Sequence, residues 1–157
     1  MKTIKFMLDK FLTYVISILL VTMTGLVLWQ VFTRYIMKNP SMFTEELVVI
    51  ILVWISFLGA AYAFGSRQHM ALIFLKEKAK GINKLILCVA IDVIIMLFAV
   101  IVLIIGGKEI TMGVVSVRTP ILNISKAYIY SSMFVSGVLI VFYQIVNIIE
   151  DFRIKDK

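Results

Sequence analysis

The sequence predicts an all-α membrane protein with four transmembrane helices. Of its 157 residues, 62% are hydrophobic and 16% are charged, and the mean hydropathy is +1.05. A soluble domain of this length could not bury so much apolar surface. Lipid leaves only helices or closed barrels as ways to satisfy the backbone, and no segment shows the period-2 alternation of a barrel wall. The chain is therefore expected to form a single membrane domain, 1–157, built from helices.

Four apolar runs are long enough to span the hydrocarbon core, which takes about 20 residues per helix. These runs comprise residues 11–32, 47–64, 85–105 and 127–149. The first run follows three lysines, as the core of a signal peptide would. It is longer than a normal signal core, however, and no small-x-small cleavage site follows it. It is therefore interpreted as a retained membrane anchor.

The basic residues are distributed unequally between the two sides of the membrane, and this asymmetry predicts the orientation of the chain. Eleven of them precede the first span, lie between the second and third spans, or follow the fourth span. The other five lie in the two remaining loops. By the positive-inside rule, both termini are then cytoplasmic. The net charge of +7 reflects this topology, so no nucleic-acid partner is expected.

A basic amphipathic helix is predicted at the cytoplasmic membrane surface over about residues 70–84, between the second and third spans. Apolar residues recur there at helical spacing, while the lysines point elsewhere. Anionic lipid headgroups are the expected partners of these lysines, which are Lys76, Lys78, Lys80 and Lys84. The only histidine, His69, lies at the start of this segment. A lone histidine is more often a surface or hydrogen-bonding residue than a metal ligand.

The loop from Thr33 to Glu46 carries opposite charges at its two ends. Thr44 is a candidate helix cap, and Glu45 and Glu46 suit the positive end of the helix dipole that begins there. The alternative is an ion-pair cluster of these carboxylates with Arg34, joining the first two helices, or with a partner chain. Both interpretations remain open at the level of sequence.

The second span carries a face of small side chains formed by Ser56, Gly59, Ala60 and Ala63. Small residues on one face permit close approach of another helix. That helix could belong to another protein or to this chain. We interpret the face as a candidate assembly surface.

Polar residues also occur within the third and fourth spans. Asp92 is an ionisable residue at a depth where a charge is costly, so it either contacts another helix or couples to an ion. On the fourth span, a polar face suits contact with a neighbouring helix rather than with lipid. Its members are Ser132, Ser136, Tyr143 and Asn147.

The reactive side chains are too few for catalysis. The chain has one histidine and one cysteine, whereas a hydrolase needs a nucleophile, a base and an orienting group at one site. A haem subunit would need histidine ligands and a thiol oxidoreductase would need a cysteine pair. A self-sufficient transporter is expected to show several charged or broken-helix elements at the midplane. The chain is therefore expected to be neither an enzyme nor a cofactor or metal protein, and to brace another protein.

The stretch from Val31 to Leu72 reads VFTRYIMKNPSMFTEELVVIILVWISFLGAAYAFGSRQHMAL. It resembles the small membrane subunit of tripartite ATP-independent periplasmic (TRAP) transporters. The residues that carry the resemblance are Arg34, Tyr35, Phe43, Glu45, Glu46, Trp54, Phe57 to Ala61, and His69. Length, span number and topology agree with that family over the whole chain.

The resemblance implies a multi-pass subunit of the bacterial inner membrane without catalysis of its own. A large membrane subunit, its obligate partner, would carry an organic acid together with sodium. A periplasmic binding protein would deliver that substrate, which in this family includes C4-dicarboxylates and sialic acids. The rival hypothesis is an autonomous homo-oligomeric exporter or channel that uses Asp92 as its ion-binding carboxylate.

Overall fold

The structure, a computed structural model, describes residues 2–66 and 82–155. Within these ranges the chain forms α1 (Lys2–Tyr35), α2 (Met42–Gly65), α3 (Ile82–Phe98), a π-helical segment (Ala99–Gly106), α4 (Gly107–Gly113) and α5 (Ala127–Lys155). Because α3, the π segment and α4 follow one another without a break, they form one membrane-crossing helix. Four helices are thus long and apolar enough to cross a membrane. The predicted all-α fold with four spans is confirmed.

Part of the predicted cytoplasmic surface cannot be compared with the structure. His69, Lys76, Lys78 and Lys80 lie outside the described residues, as does the predicted surface helix over residues 70–81. Residues 82–84 form the first turn of α3. The side chain of Lys84 is again outside the described part.

All four membrane-crossing helices extend beyond their predicted apolar runs, because hydropathy marks only the lipid-immersed part of a helix. The first begins at Lys2 rather than at residue 11, and the second begins at Met42 rather than at residue 47. The third membrane crossing continues to Gly113. The fourth ends at Lys155 rather than at residue 149. The expected cap at Thr44 is wrong: Ser41 occupies the N-cap position, and the Thr44 hydroxyl donates to the Ser41 carbonyl at 2.8 Å from within the first turn.

The last helix, α5, is the centre of the fold. It packs against α2 on one side and against the π segment and its flanking helices on the other, while α1 packs mainly on α2. The fourth span is accordingly the most buried and the first span the least. One apolar cluster joins α2, the π segment and α5 through Ala61, Ala99, Leu103 and Ile140. A second joins α1, α2 and α5 through Leu12, Leu58 and Tyr143.

Glycines set the closest helix contacts. A Cβ built on Gly137 would lie 2.8 Å from the Cβ of Leu103, and one on Gly107 would lie 3.1 Å from the Cβ of Met133. Only a residue without a side chain permits these approaches. The π segment also packs on α5, and the buried residues Ala99, Leu103 and Gly107 lie in or next to it.

Contacts between distant parts of the chain show which helix ends lie together. The Lys5 ammonium donates to the Asn147 side-chain oxygen at 2.7 Å, so the start of α1 meets the end of α5. At the other end, Glu46 contacts Ile121 in the loop before α5. Both ends of the described chain therefore lie at the same end of the bundle, as an even number of spans requires.

Candidate functional site

The loop between α4 and α5 holds its shape through its own hydrogen bonds. The Thr119 N–H donates to the Ile124 carbonyl and the Lys126 N–H donates to the Val117 carbonyl, both at 2.9 Å. The Arg118 guanidinium donates to the Asn123 carbonyl at 2.8 Å. Asn123 has a φ of 53°, a left-handed conformation that asparagine tolerates better than most residues. The loop is thus a compact hairpin-like structure.

Glu46 fastens this loop to α2. Its Oε2 accepts hydrogen bonds from the N–H of Ile121 at 2.9 Å and from the N–H of Leu122 at 3.3 Å. Successive backbone N–H groups of this kind form an anion-binding concavity. Glu46 also lies in the first turns of α2, where the helix dipole favours a negative charge. The loop N–H groups and the helix dipole therefore both stabilise the Glu46 carboxylate at this position.

The predicted ion-pair cluster between the first two helices is wrong. Among the described residues, neither Glu45 nor Glu46 forms an ion pair with Arg34, because the Glu46 carboxylate is used by the loop. Arg34, Tyr35 and Glu45 are all exposed on the surface of the four-helix unit. Contact of these three residues with a partner chain stays a prediction.

A group of four polar residues joins α1 to α5 at the opposite end, and we call it the terminal clamp: Lys5, Asp9, Tyr143 and Asn147. The Tyr143 hydroxyl donates to the Asp9 carboxylate at 2.5 Å, next to the bond from Lys5 to Asn147. Tyr143 and Asn147 are completely buried. The Tyr143 ring also packs directly against Gly65 of α2, since a Cβ built on Gly65 would come within 2.6 Å of the ring. The clamp therefore contacts α2 as well.

The polar face of α5 points into the chain itself. The buried hydroxyls of Ser132 and Ser136 donate to the carbonyls of Ile129 and Met133 in their own helix. Asp92 on α3 is 4% exposed. Since α3 and α5 run antiparallel with Leu103 opposite Gly137, the register brings Asp92 to about the depth of Asn147. These polar groups are therefore interior to the four-helix unit.

The small face of α2 differs from the polar face of α5, because part of it has no neighbour among residues 2–66 and 82–155. Ser56 is exposed, and its hydroxyl donates to the Leu52 carbonyl at 2.8 Å. A Cβ on Gly59 would meet no atom within 4 Å. Ala60 and Ala63 are half-buried. On another face of the same helix, the Trp54 indole N–H donates to the Tyr128 carbonyl at 3.2 Å.

Two features were missed at the level of sequence. Lys5 and Asp9 both precede the first apolar run; Lys5 was counted only among the basic residues that set the topology, and Asp9 was given no role. A carboxylate within a basic, helical N-terminal segment was the available signal. The loop residues around Thr119 gave no signal, since their partner Glu46 is more than 70 positions away.

Within the described residues, no group of three or more His, Cys, Asp or Glu side chains could hold a metal ion.

The fold and these surfaces define a small multi-pass membrane protein with its polar groups inside and part of one small-residue face open. The profile of the family described as "Tripartite ATP-independent periplasmic transporters, DctQ component" matches residues 23–154. The chain therefore belongs to the DctQ component of the TRAP transporters. The resemblance found in the sequence is confirmed.

Relatives agree along most of the chain. It is 28% identical over 132 residues to the Sialic acid TRAP transporter small permease protein SiaQ of Vibrio cholerae, covering 83% of this chain and 75% of that protein. Two Haemophilus influenzae proteins described as TRAP transporter small permease proteins are 26% and 27% identical. Those matches cover 89% and 98% of this chain, and 86% and 92% of the relatives.

Proposed function

We propose that this chain is the non-catalytic small permease subunit of a sodium-coupled TRAP transporter and braces the large membrane subunit. Its place would be the bacterial inner membrane, with both termini in the cytoplasm. The large subunit would carry the substrate and sodium, and a periplasmic binding protein would deliver the substrate. Membership of the DctQ family supports the transport role. The bracing role rests on the packing surfaces described above.

The proposal that this chain braces the large subunit rests on a difference in packing among its glycines. Gly65, Gly107 and Gly137 each face a close neighbour within the chain. A Cβ on Gly25, Gly59 or Gly113 would instead meet no described atom within 4 Å. Of these three, only Gly59 lies on the small face of α2. Lipid removes the ordinary hydrophobic drive for association, so helices in a bilayer associate through close packing and interhelical hydrogen bonds. A glycine and a serine on an open face suit that kind of contact. This face of α2 is therefore proposed to bind the large subunit.

The loop fastened by Glu46 is proposed as a contact for the periplasmic binding protein. It lies at the end of the bundle that the charge asymmetry assigns to the periplasm. Its shape is fixed by internal hydrogen bonds and by α2, and Arg118 is exposed on it. A fixed loop loses little conformational entropy on docking.

The substrate is proposed to be an organic acid. The similarity to SiaQ favours the sialic acid class, and C4-dicarboxylates are the alternative. Substrate and sodium would be bound by the large subunit, and no cofactor is proposed for this chain. Selection of the acid therefore depends on the partners.

An autonomous exporter or channel remains the rival function. It requires Asp92 to be accessible to the transported ion, whereas Asp92 is 4% exposed at the interior of the helix packing. Transport by the purified chain alone, abolished by Asp92→Asn, would establish the rival. The subunit proposal expects no transport by the purified chain alone.

Co-purification with the large subunit tests the proposed interface. Gly59→Leu introduces a bulky side chain where no described residue lies within 4 Å of the added Cβ, so the fold should persist while the partner is lost. Gly113→Leu is the matched control, since a Cβ there also meets no atom within 4 Å but lies at the end of α4. The proposal expects loss of the large subunit with Gly59→Leu only. Equal recovery of the large subunit with both variants would overturn the interface.

A further inference from the structure

A cleft opens between α4 and α5 beyond their closest contact. The two helices touch at Gly107, where a Cβ would lie 3.1 Å from the Met133 Cβ. Next to this contact, the side chains of the two helices leave a wedge of about 200 Å³ between them. It is lined by Lys108, Thr111 and Met112 of α4 and by Ser131 and Phe134 of α5.

The polar groups that line the cleft already form hydrogen bonds among the described residues, except for the Lys108 ammonium. The Thr111 hydroxyl donates to the Gly107 carbonyl at 2.6 Å, and the Ser131 hydroxyl donates to the Tyr128 carbonyl at 2.9 Å. The walls therefore present apolar surface. Lys108 is exposed, and within the described part of the chain its ammonium makes no hydrogen bond or ion pair. The neighbouring Glu109 does not line the cleft.

From this arrangement we infer that the cleft binds one anionic membrane phospholipid, with part of an acyl chain between α4 and α5 and the phosphate at Lys108. A volume of about 200 Å³ is below the usual range for a whole small-molecule ligand but suits part of a chain that continues into the bilayer. Lys108 lies in α4, close to the end of the third span. A lysine there can extend its ammonium to the headgroup level while its stem covers apolar surface.

Charge complementarity selects the headgroup. A lysine near a membrane surface favours anionic lipid by about 1 kcal/mol, which corresponds to roughly five-fold in affinity. A zwitterionic lipid could fill the apolar wedge without this gain. The inference therefore predicts both retention of a lipid and a preference for a negative headgroup.

Native mass spectrometry of the full-length chain in mild detergent tests this inference. Titration with phosphatidylglycerol and with phosphatidylcholine of the same acyl chains should show one tightly retained lipid and a roughly five-fold preference for phosphatidylglycerol. Lys108→Gln should remove the preference, and Ser131→Phe should reduce retention of both lipids by filling the wedge. Lys126→Gln is the control, because it removes the same charge at the same end of the helix bundle but outside the cleft.

Three outcomes would overturn the inference. The wild-type chain could show no headgroup preference, or Lys126→Gln could remove the preference as fully as Lys108→Gln does. The third outcome is that the wedge belongs to a partner helix. In that case Ser131→Phe would prevent co-purification with the large subunit, and the assembled wild-type complex would retain no lipid.

Discussion

Glu46, in the first turns of α2, accepts a 2.9 Å hydrogen bond from the backbone N–H of Ile121, which lies 75 positions later in the sequence. This bond connects the start of the second span to the loop before the last one. It explains the position of one of the two adjacent acids at the start of α2. One of the two carboxylates has a structural partner within the chain, and the other is exposed.

We therefore predict different effects for the two acids. Glu46→Ala removes the acceptor for two backbone N–H groups and should release the loop, while Glu45→Ala should leave the loop in place. Hydrogen–deuterium exchange of the Ile121 and Leu122 amides measures this difference. Exchange should accelerate only in Glu46→Ala. Equal exchange in the two variants would show that the loop does not depend on Glu46.

A second prediction concerns two glycines of the same helix. Gly65→Ala places a Cβ against the Tyr143 ring, and overpacking of this kind costs about 1–3 kcal/mol. Gly59→Ala meets no atom within 4 Å and should not destabilise the isolated chain, since alanine favours a helix over glycine by about 1 kcal/mol. Thermal unfolding of both purified variants in detergent compares them. A lower melting temperature for Gly59→Ala than for Gly65→Ala would contradict the assigned packing.

The terminal clamp gives a third prediction. Tyr143→Phe keeps the ring against Gly65 but removes the hydrogen bond to Asp9, which should reduce stability by about 0.5–1.5 kcal/mol. Tyr14→Phe is the control, because Tyr14 is exposed on α1. A double-mutant cycle with Asp9→Ala, which removes the acceptor, isolates the coupling between the two side chains. Additive effects in that cycle would mean that the bond contributes nothing measurable.

The orientation of the chain in the membrane is a separate prediction. Single cysteines at exposed positions of the two outer loops, such as Lys38→Cys and Arg118→Cys in a Cys88→Ala background, should react with an impermeant maleimide on intact cells. Lys10→Cys, at the end that holds both termini, should react only after permeabilisation. The reverse labelling pattern would invert the predicted topology.

The four spans could be predicted from the sequence because each depends on local hydropathy. The polar face of α5 was also visible from its spacing, although only the structure shows that Tyr143 reaches Asp9. By contrast, the π segment from Ala99 to Gly106 is uniformly apolar and contains no proline, so nothing in its pattern distinguishes it from an α-helix. Only the structure shows that this segment is π-helical and that its Leu103 packs against Gly137.

The ion pair predicted between Arg34 and the acids of α2 was wrong because a contact between distant parts of the chain decides the outcome here too. Opposite charges at the two ends of a short turn favoured a local ion pair with Glu46. The backbone N–H groups of a distant loop take the carboxylate instead, and sequence proximity gives no information about that loop. The small face of α2 could be located from the sequence, but only the structure shows that its Gly59 portion is open.

The most direct test of the bracing role is substrate uptake in proteoliposomes. These would contain the large subunit, the binding protein and a sodium gradient, with or without this chain. Our account predicts uptake only when the chain is present, and loss of that uptake with Gly59→Leu but not with Gly113→Leu. Full uptake in vesicles that lack the chain would contradict the account.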